Sequence, residues 1–178
     1  MQLLNRITDR DILGGAPDLL PAVNRYASRG ILLDAQDNVA MMYMARPALY
    51  KLPGGGMEAN ETPETAFLRE VREETGYDAE ILEQIGYIEE HKKRNQYMQL
   101  SYCYIARASQ ANETELTPNE KRLGMSVRWM TMEQALKAMD AGIAACADYS
   151  TNFMLLRDKL ILEEAARHIA FPEFGEAD

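Results

Sequence analysis

The chain has 178 residues, of which 47% are hydrophobic and 26% are charged, as is typical of one globular domain with its own apolar core. This composition excludes disorder as the main state, and no apolar run approaches the ~20 residues that a membrane span needs. The net charge of −9 argues against binding to a nucleic-acid polymer, because such proteins present basic surfaces to the phosphates. We therefore expect a single domain over residues 1–178 that binds neither a membrane nor a nucleic acid.

The start of the chain and its cysteines indicate a compartment. Residues 1–6 turn polar before the apolar core of a signal peptide is reached. Cys103 and Cys146 lie far apart in the sequence, which favours two thiols over a disulfide. We expect a cytoplasmic protein.

The first half of the chain predicts strands separated by turn residues, followed by one helix. The predicted segments are an N-terminal flap or edge segment at 1–24, strands at 25–33, 39–45 and 49–52, and a helix at 63–75. The turn residues at 34–38 join the first two strands and predict a hairpin. The third strand is expected to stop at the run Pro53-Gly54-Gly55-Gly56.

The second half predicts more strands and two further helices. The predicted segments are strands at 79–90, 97–106 and 125–130, a polar loop at 109–124, and helices at 131–140 and 149–169. Residues 145–178 are interpreted as a C-terminal helical extension. Its apolar stripe of Phe153, Leu156 and Leu160 should be buried either on its own domain or between the subunits of a homodimer, which we favour. Mixed strands with few helices predict the α+β class.

The helix at 63–75 carries a cluster of carboxylates. At roughly 100° per residue, Glu70, Glu73 and Glu74 share one face beside the apolar stripe. Arg69 can relieve Glu73, but no residue of this helix is expected to relieve Glu70 or Glu74. The face is either a solvated acidic surface or a set of hard oxygen ligands for Mg²⁺ or Mn²⁺, and helix geometry alone leaves both hypotheses open.

The spacing around this helix resembles the Nudix box, G-x5-E-x7-R-E-U-x-E-E-x-G-U, where U is a bulky aliphatic residue. The matching residues are Gly55, Glu61, Arg69, Glu70, Val71, Glu73, Glu74 and Gly76. Only Tyr77 departs, at a packing position. The resemblance implies a Nudix-type α/β/α sandwich with a mixed sheet. It also implies Mg²⁺-dependent (or Mn²⁺-dependent) hydrolysis of a small nucleotide-type diphosphate, with water attacking phosphorus.

The resemblance also implies roles for individual residues. Glu70 would orient or deprotonate water, and Arg69 would hold a catalytic glutamate by a charge-assisted hydrogen bond. The implied metal ligands are Gly55 through its carbonyl, Glu61, Glu70, Glu73 and Glu74. In some branches of the family the general base is instead a glutamate of a distal loop. Glu120 is the candidate there, and the alternative is a solvated loop charge.

The substrate and even catalysis itself stay open at this stage. Tyr97, Tyr102 and Tyr104 could stack on a base, although alternating aromatic residues are typical of sheet packing. Three arginines, Arg25, Arg29 and Arg46, could reach a phosphate from the hairpin, although cations at strand edges are usually solvated. The alternative function is a non-catalytic Nudix module that senses a nucleotide or scaffolds a partner.

Overall fold

A computed structural model describes residues 1–170, in which the chain forms eight strands and five α-helices. The strands are β1 (Leu3–Thr8), β2 (Arg25–Leu33), β3 (Val39–Met44), β4 (Leu49–Lys51), β5 (Gly54–Gly56), β6 (Tyr77–Lys92), β7 (Tyr97–Ala111) and β8 (Met125–Met130). The helices are α1 (Asp9–Leu13), α2 (Pro63–Thr75), α3 (Pro118–Leu123), α4 (Met132–Ala145) and α5 (Tyr149–Ala170).

All eight strands belong to one mixed sheet. Its main path runs β1-β6-β7-β2-β3-β4, with β5 paired to β2 and β8 paired to β3. β6 and β7 form a long antiparallel pair, whereas β1 lies parallel to β6 and β2 parallel to β7. Residues 1–24, expected as a flap or edge segment, thus contain the strand at one edge of the sheet.

Alternating side chains along the strands build two apolar layers. On β2, Leu32 packs with Phe67 and Val71 of α2, whereas the neighbouring Ile31 packs on the other side with Phe153 of α5 and residues of α4. Helices therefore cover both faces of the sheet. The predicted α+β class and the α/β/α arrangement are confirmed. None of the helices within residues 1–170 has the length and apolar character that crossing a membrane requires.

The predicted hairpin is correct only at its turn. β2 and β3 are antiparallel, but their ladder contains the single pair Leu33 and Val39. Beyond it, β2 pairs in parallel with β7 and antiparallel with β5, while β3 pairs with β4 and β8. The turn residues predicted where the chain reverses. They carried no information on which distant strands would pair with the edges of β2 and β3.

Several predicted boundaries also change. The glycine run, expected to end a strand, itself forms β5. α4 continues past Asp140 to Ala145, because Gly142 packs inside the structure against Leu155 and Leu49 rather than ending the helix. The expected loop at 109–124 includes the end of β7 and the short helix α3.

The C-terminal extension packs on its own domain. Phe153 is fully buried, and Leu156 and Leu160 are partly buried against the same apolar cluster. The remaining buried apolar side chains of α5 are Leu155, Ile161, Leu162 and Ala165. The apolar stripe is therefore broader than predicted and covers the sheet. The predicted extension also includes residues 171–178, which lie outside the described part of the chain.

Candidate functional site: an acidic helix facing a basic cluster

The residues from which the two ends of α2 were predicted also cap the helix in the structure. The Thr62 hydroxyl accepts a hydrogen bond from the Thr65 N–H (3.2 Å), and Pro63 occupies the first turn. Gly76 adopts the left-handed conformation (φ 77°, ψ 13°), and its N–H donates to the Arg72 carbonyl (2.9 Å). The predicted helix at 63–75 is confirmed, and its register directs the glutamates towards β5.

The three glycines of β5 make room for side chains of the site. Gly54 has a φ of +135°, which side-chain-bearing residues rarely adopt. A Cβ added at Gly55 would lie 2.5 Å from a carboxylate oxygen of Glu70. One added at Gly56 would lie 2.7 Å from the guanidinium of Arg25. The glycine run therefore lets the acidic Glu70 and the basic Arg25 both pack closely against the backbone of β5.

Glu74 is the most buried of the acidic side chains on α2, with 2% of its surface exposed. Its carboxylate accepts hydrogen bonds from Lys51 Nζ (2.6 Å) and from the Gly54 N–H (2.9 Å). Burial raises the pKa of Glu74, and the charge of Lys51 opposes that rise. No residue of α2 relieves Glu74, as predicted, and the relief comes from β4.

Arg69 connects the other glutamates of the motif. Its guanidinium donates to Glu61 (2.7 Å), Glu70 (2.9 Å) and Glu73 (3.1 Å), and to the carbonyl of Gly56 (3.0 Å). The expectation that no helix residue would relieve Glu70 is wrong, because the guanidinium is long enough to reach it as well as Glu73. The hydrogen bond from Arg69 lowers the pKa of Glu61, whereas burial raises that of Glu73.

These glutamates offer the oxygen donors that Mg²⁺ or Mn²⁺ prefers. Glu70, Glu73, Glu74 and Gly55 line one cavity, whereas Glu61 is held beside it by Arg69. Within residues 1–170, no group of three Asp, Glu, His or Cys side chains is close enough together to coordinate a metal ion. The carboxylates of α2 pair with Lys51 and Arg69 instead. The donor chemistry and the space at Gly55 fit a hard cation once those carboxylates turn from their cationic partners.

The cavity has a volume of about 680 Å³. α2 supplies its acidic side, and the sheet and α5 supply its basic side. We call the latter the basic cluster, which consists of Arg25, Arg29, Lys92 and Arg157. The predicted phosphate contacts Arg25 and Arg29 therefore reach the site, while Arg46 is exposed at the end of β3, away from the cavity lining.

Glu120 lines the same cavity and also caps the N-terminus of α3. One of its carboxylate oxygens accepts the Thr117 N–H (2.7 Å), and its own N–H donates to the Thr117 hydroxyl (3.3 Å), which forms the capping box of α3. The two other loop glutamates, Glu113 and Glu115, are exposed and do not line the cavity. Glu120 is thus the loop acid that the fold brings to the site.

The candidate tyrosines divide between the core and the surroundings of the site. Tyr102 stacks on Tyr26 with ring centroids 6.4 Å apart, and both line a groove next to the cavity. Tyr104 is buried against Phe67 (5.3 Å), as sheet packing predicts. Tyr97 lies beside the ammonium of Lys92 (5.9 Å).

Sequence reasoning missed Lys51, Lys92 and Arg157. Lys51 lies three residues before Gly54, the first residue of the glycine run, and that position was a usable signal. Lys92 stood in a charged stretch between two strands, and Arg157 stood in a long helix beyond the motif. Neither carries a local pattern that distinguishes it from a solvated cation, and only the fold brings both to the cavity.

Comparisons with known proteins agree with this architecture. The NUDIX domain model matches residues 23–147. Diphosphoinositol polyphosphate phosphohydrolase NUDT4B of Homo sapiens is 27% identical over 117 residues, 65% of this chain and 62% of that protein. Diphosphoinositol polyphosphate phosphohydrolase 3-alpha of Mus musculus is 26% identical over 117 residues, 65% of this chain and 68% of that protein. The match thus spans less than two thirds of the human relative.

Solved structures show the same fold. A NUDIX hydrolase from Nitrosomonas europaea superposes with a TM-score of 0.57 at 17% identity, covering 82% of this chain and 88% of that one. A NUDIX-family hydrolase from Clostridium perfringens gives a TM-score of 0.53 at 17% identity, covering 80% and 98%. The family model covers well over half of the chain and includes the whole motif-bearing helix, so this chain belongs to the NUDIX family.

Proposed function

We propose that the protein is a metal-dependent hydrolase that cleaves the diphosphate linkage of a nucleoside diphosphate derivative or a nucleoside triphosphate. One observation carries the proposal: the acidic face of α2 and the basic cluster line a single cavity. Carboxylates alone would repel a polyphosphate, and cations alone would bind it without activating water. Family membership and the phosphohydrolase names of the relatives support the same reaction class.

In this mechanism the side chains of α2 have distinct roles. Glu70, Glu73 and Glu74 would hold Mg²⁺ or Mn²⁺, with the Gly55 carbonyl and Glu61 as further contacts. The ion supplies charge neutralisation to the phosphoryl oxygens. Arg69 positions three of these carboxylates through its hydrogen bonds and so keeps them close together despite their like charges.

The attacking water needs a base that can receive its proton. Glu70 is one candidate, because its carboxylate lies against Gly55 at the cavity. Glu120 is the other, although one of its oxygens already holds the Thr117 N–H. The basic cluster lies across from both and would orient the phosphates, so that water approaches phosphorus from the glutamate side.

Phosphate release from a substrate panel tests the proposal. The panel contains dNTPs, oxidised dNTPs, nucleotide sugars, ADP-ribose, dinucleoside polyphosphates and a diphosphoinositol polyphosphate. We expect turnover of at least one compound with Mg²⁺ or Mn²⁺ and none in excess chelator. Undiminished activity in chelator would contradict the metal role. An absence of hydrolysis across the panel, with nucleotide binding retained, would favour the non-catalytic sensing module.

A homodimer and a cytoplasmic location stay predictions. The homodimer was inferred from the apolar stripe of α5, and that stripe packs on its own sheet.

A further inference from the structure

Within the described part of the chain, Arg29 is a buried cation with no directly paired carboxylate. Only 3% of its surface is exposed, and its Nε donates to the Ser101 hydroxyl (3.2 Å). Within residues 1–170, no carboxylate lies at ion-pairing distance from its guanidinium, and its two terminal nitrogens make no hydrogen bond. Arg29 lines the cavity. Burying a charge without a partner costs free energy. An anion that enters the cavity could act as the partner of Arg29.

The two carboxylates near Arg29 are already paired with other cations. Arg157 donates to Asp158 (2.7 Å) and to Glu90 (3.1 Å), and Lys92 lies 3.5 Å from the other oxygen of Glu90. Three cations thus share two carboxylates, which leaves a net positive charge before Arg25 is counted. Burial and the neighbouring charge of Arg157 lower the pKa of Arg29 to about 10, although the charges of Asp158 and Glu90 oppose that fall. The side chain still carries its charge at neutral pH.

This cluster is separate from the glutamates of α2. Its carboxylates come from β6 and α5, and within the described chain no ion pair joins it to Glu61, Glu70, Glu73 or Glu74. Those glutamates form their ion pairs with Lys51 and Arg69. The cavity therefore contains two independent charged groups, one suited to a metal and one suited to an anion.

We propose that Arg29, with Arg157 and Lys92, binds a phosphate group of the substrate other than the diphosphate that is hydrolysed at the glutamates. This inference rests on the proposed function and narrows its substrate class. The preferred substrates carry at least one further phosphoryl group, as nucleoside triphosphates and other polyphosphorylated compounds do, rather than a neutral sugar. α5 contributes Arg157 from outside the matched residues 23–147, so the extension takes part in selecting the substrate.

Binding of inorganic phosphate to the metal-free full-length protein tests the site, with isothermal titration calorimetry as the readout. We expect Arg29→Gln to weaken phosphate binding at least tenfold, and Arg29→Lys, which keeps the charge, to stay within about fivefold of the wild type. Arg46→Gln makes the same chemical change on an exposed strand end and should leave the affinity unchanged. Wild-type affinity in Arg29→Gln would overturn the proposal.

Thermal unfolding without phosphate separates binding from a structural role. For the charge of Arg29, burial and the repulsion by Arg157 outweigh the attraction by Asp158 and Glu90. Removing that charge in Arg29→Gln should therefore leave the melting temperature the same or raise it. A purely structural arginine predicts a clear fall instead, and that result would overturn the proposal.

Steady-state kinetics decide whether the bound phosphate belongs to the substrate. In Arg29→Gln, the KM for a nucleoside triphosphate should rise at least tenfold relative to the KM for a nucleotide sugar. An unchanged ratio would assign the site to free phosphate and overturn the substrate role. Loss of phosphate binding in Arg29→Gln, without hydrolysis of any compound by the wild type, would reject the proposed function while supporting the anion site.

Discussion

Glu74 combines deep burial with a charge that, within residues 1–170, is paired with the single cation Lys51. Burial raises its pKa, so its ionised form is less favourable in the folded state than in the unfolded chain. The metal-free protein should therefore gain stability as the pH falls through this pKa, because the proton binds the folded state more tightly. A metal ion would reverse this preference by stabilising the carboxylate.

Glu74→Gln tests this balance. The amide keeps the shape of the side chain and can still accept the Gly54 N–H, but it removes the charge. We expect kcat to fall by about 10²-fold or more, which corresponds to about 3 kcal/mol of transition-state stabilisation. The melting temperature of the metal-free protein should be unchanged or slightly higher. Glu64→Gln, an exposed change on the same helix, is the control. Activity within threefold of the wild type would show that Glu74 has no part in metal binding.

Residues within the motif were predictable, and their partners were not. Gly55, Glu70 and Glu74 lie at fixed spacings, because one helix and the strand before it set their geometry. Arg29 was singled out only as one of three arginines that could reach phosphate. Its lack of a directly paired carboxylate within residues 1–170 depends on how β2, β6 and α5 pack, and no local sequence pattern records that packing.

At the scale of elements, α2 was predicted to its exact ends because each end carries its own chemical signal. β5 and α3 were missed for the opposite reason. A three-residue glycine strand has no side-chain pattern and exists only because β2 offers it an edge. A helix of six residues is too short to show a period. Strand partners are set across the sheet, so the predicted hairpin could be correct only at its turn.

Gly76→Ala tests the C-terminal cap of α2. A left-handed conformation costs a side-chain-bearing residue about 1–2 kcal/mol, and the added Cβ would also lie 2.6 Å from the Asn112 carbonyl oxygen. We expect the free energy of unfolding in urea to fall by about 2 kcal/mol or more. Gly124→Ala is the matched control, because Gly124 is also left-handed (φ 62°) but its nearest neighbour is the Ala45 Cβ at 3.0 Å. Equal losses in the two variants would show that backbone conformation alone sets the cost.

For the whole molecule, α5 connects the core to the site. Its apolar side chains pack on the face of the sheet opposite α2. On the same helix, Asp158 accepts the Leu52 N–H (2.8 Å) just before the glycine strand, and Arg157 reaches the cavity. The sequence showed that this helix had an apolar stripe to bury but not which surface would bury it. The fold shows that the helix covers its own sheet while it places Arg157 at the cavity.

Phe153→Ala tests whether α5 is integral to the domain. Phe153 is fully buried and packs edge-on against Tyr149, with ring centroids 5.2 Å apart. Truncating a buried phenylalanine typically costs about 3–5 kcal/mol, so we expect a loss of that size in urea unfolding. Leu156→Ala, at a partly buried position of the same helix, should cost less. A loss below about 1 kcal/mol for Phe153→Ala would show that α5 adds little to the core.

Light scattering on Leu156→Asp separates this packing from the homodimer first inferred from the same stripe. If α5 serves its own domain, the charged side chain should lower stability and leave the oligomeric state as it is in the wild type. A wild-type dimer that becomes a monomer in Leu156→Asp, with unfolding unchanged, would instead place α5 at a subunit interface. A wild-type protein that is monomeric at high micromolar concentration would reject the homodimer and leave the helix as the cover of a single sheet.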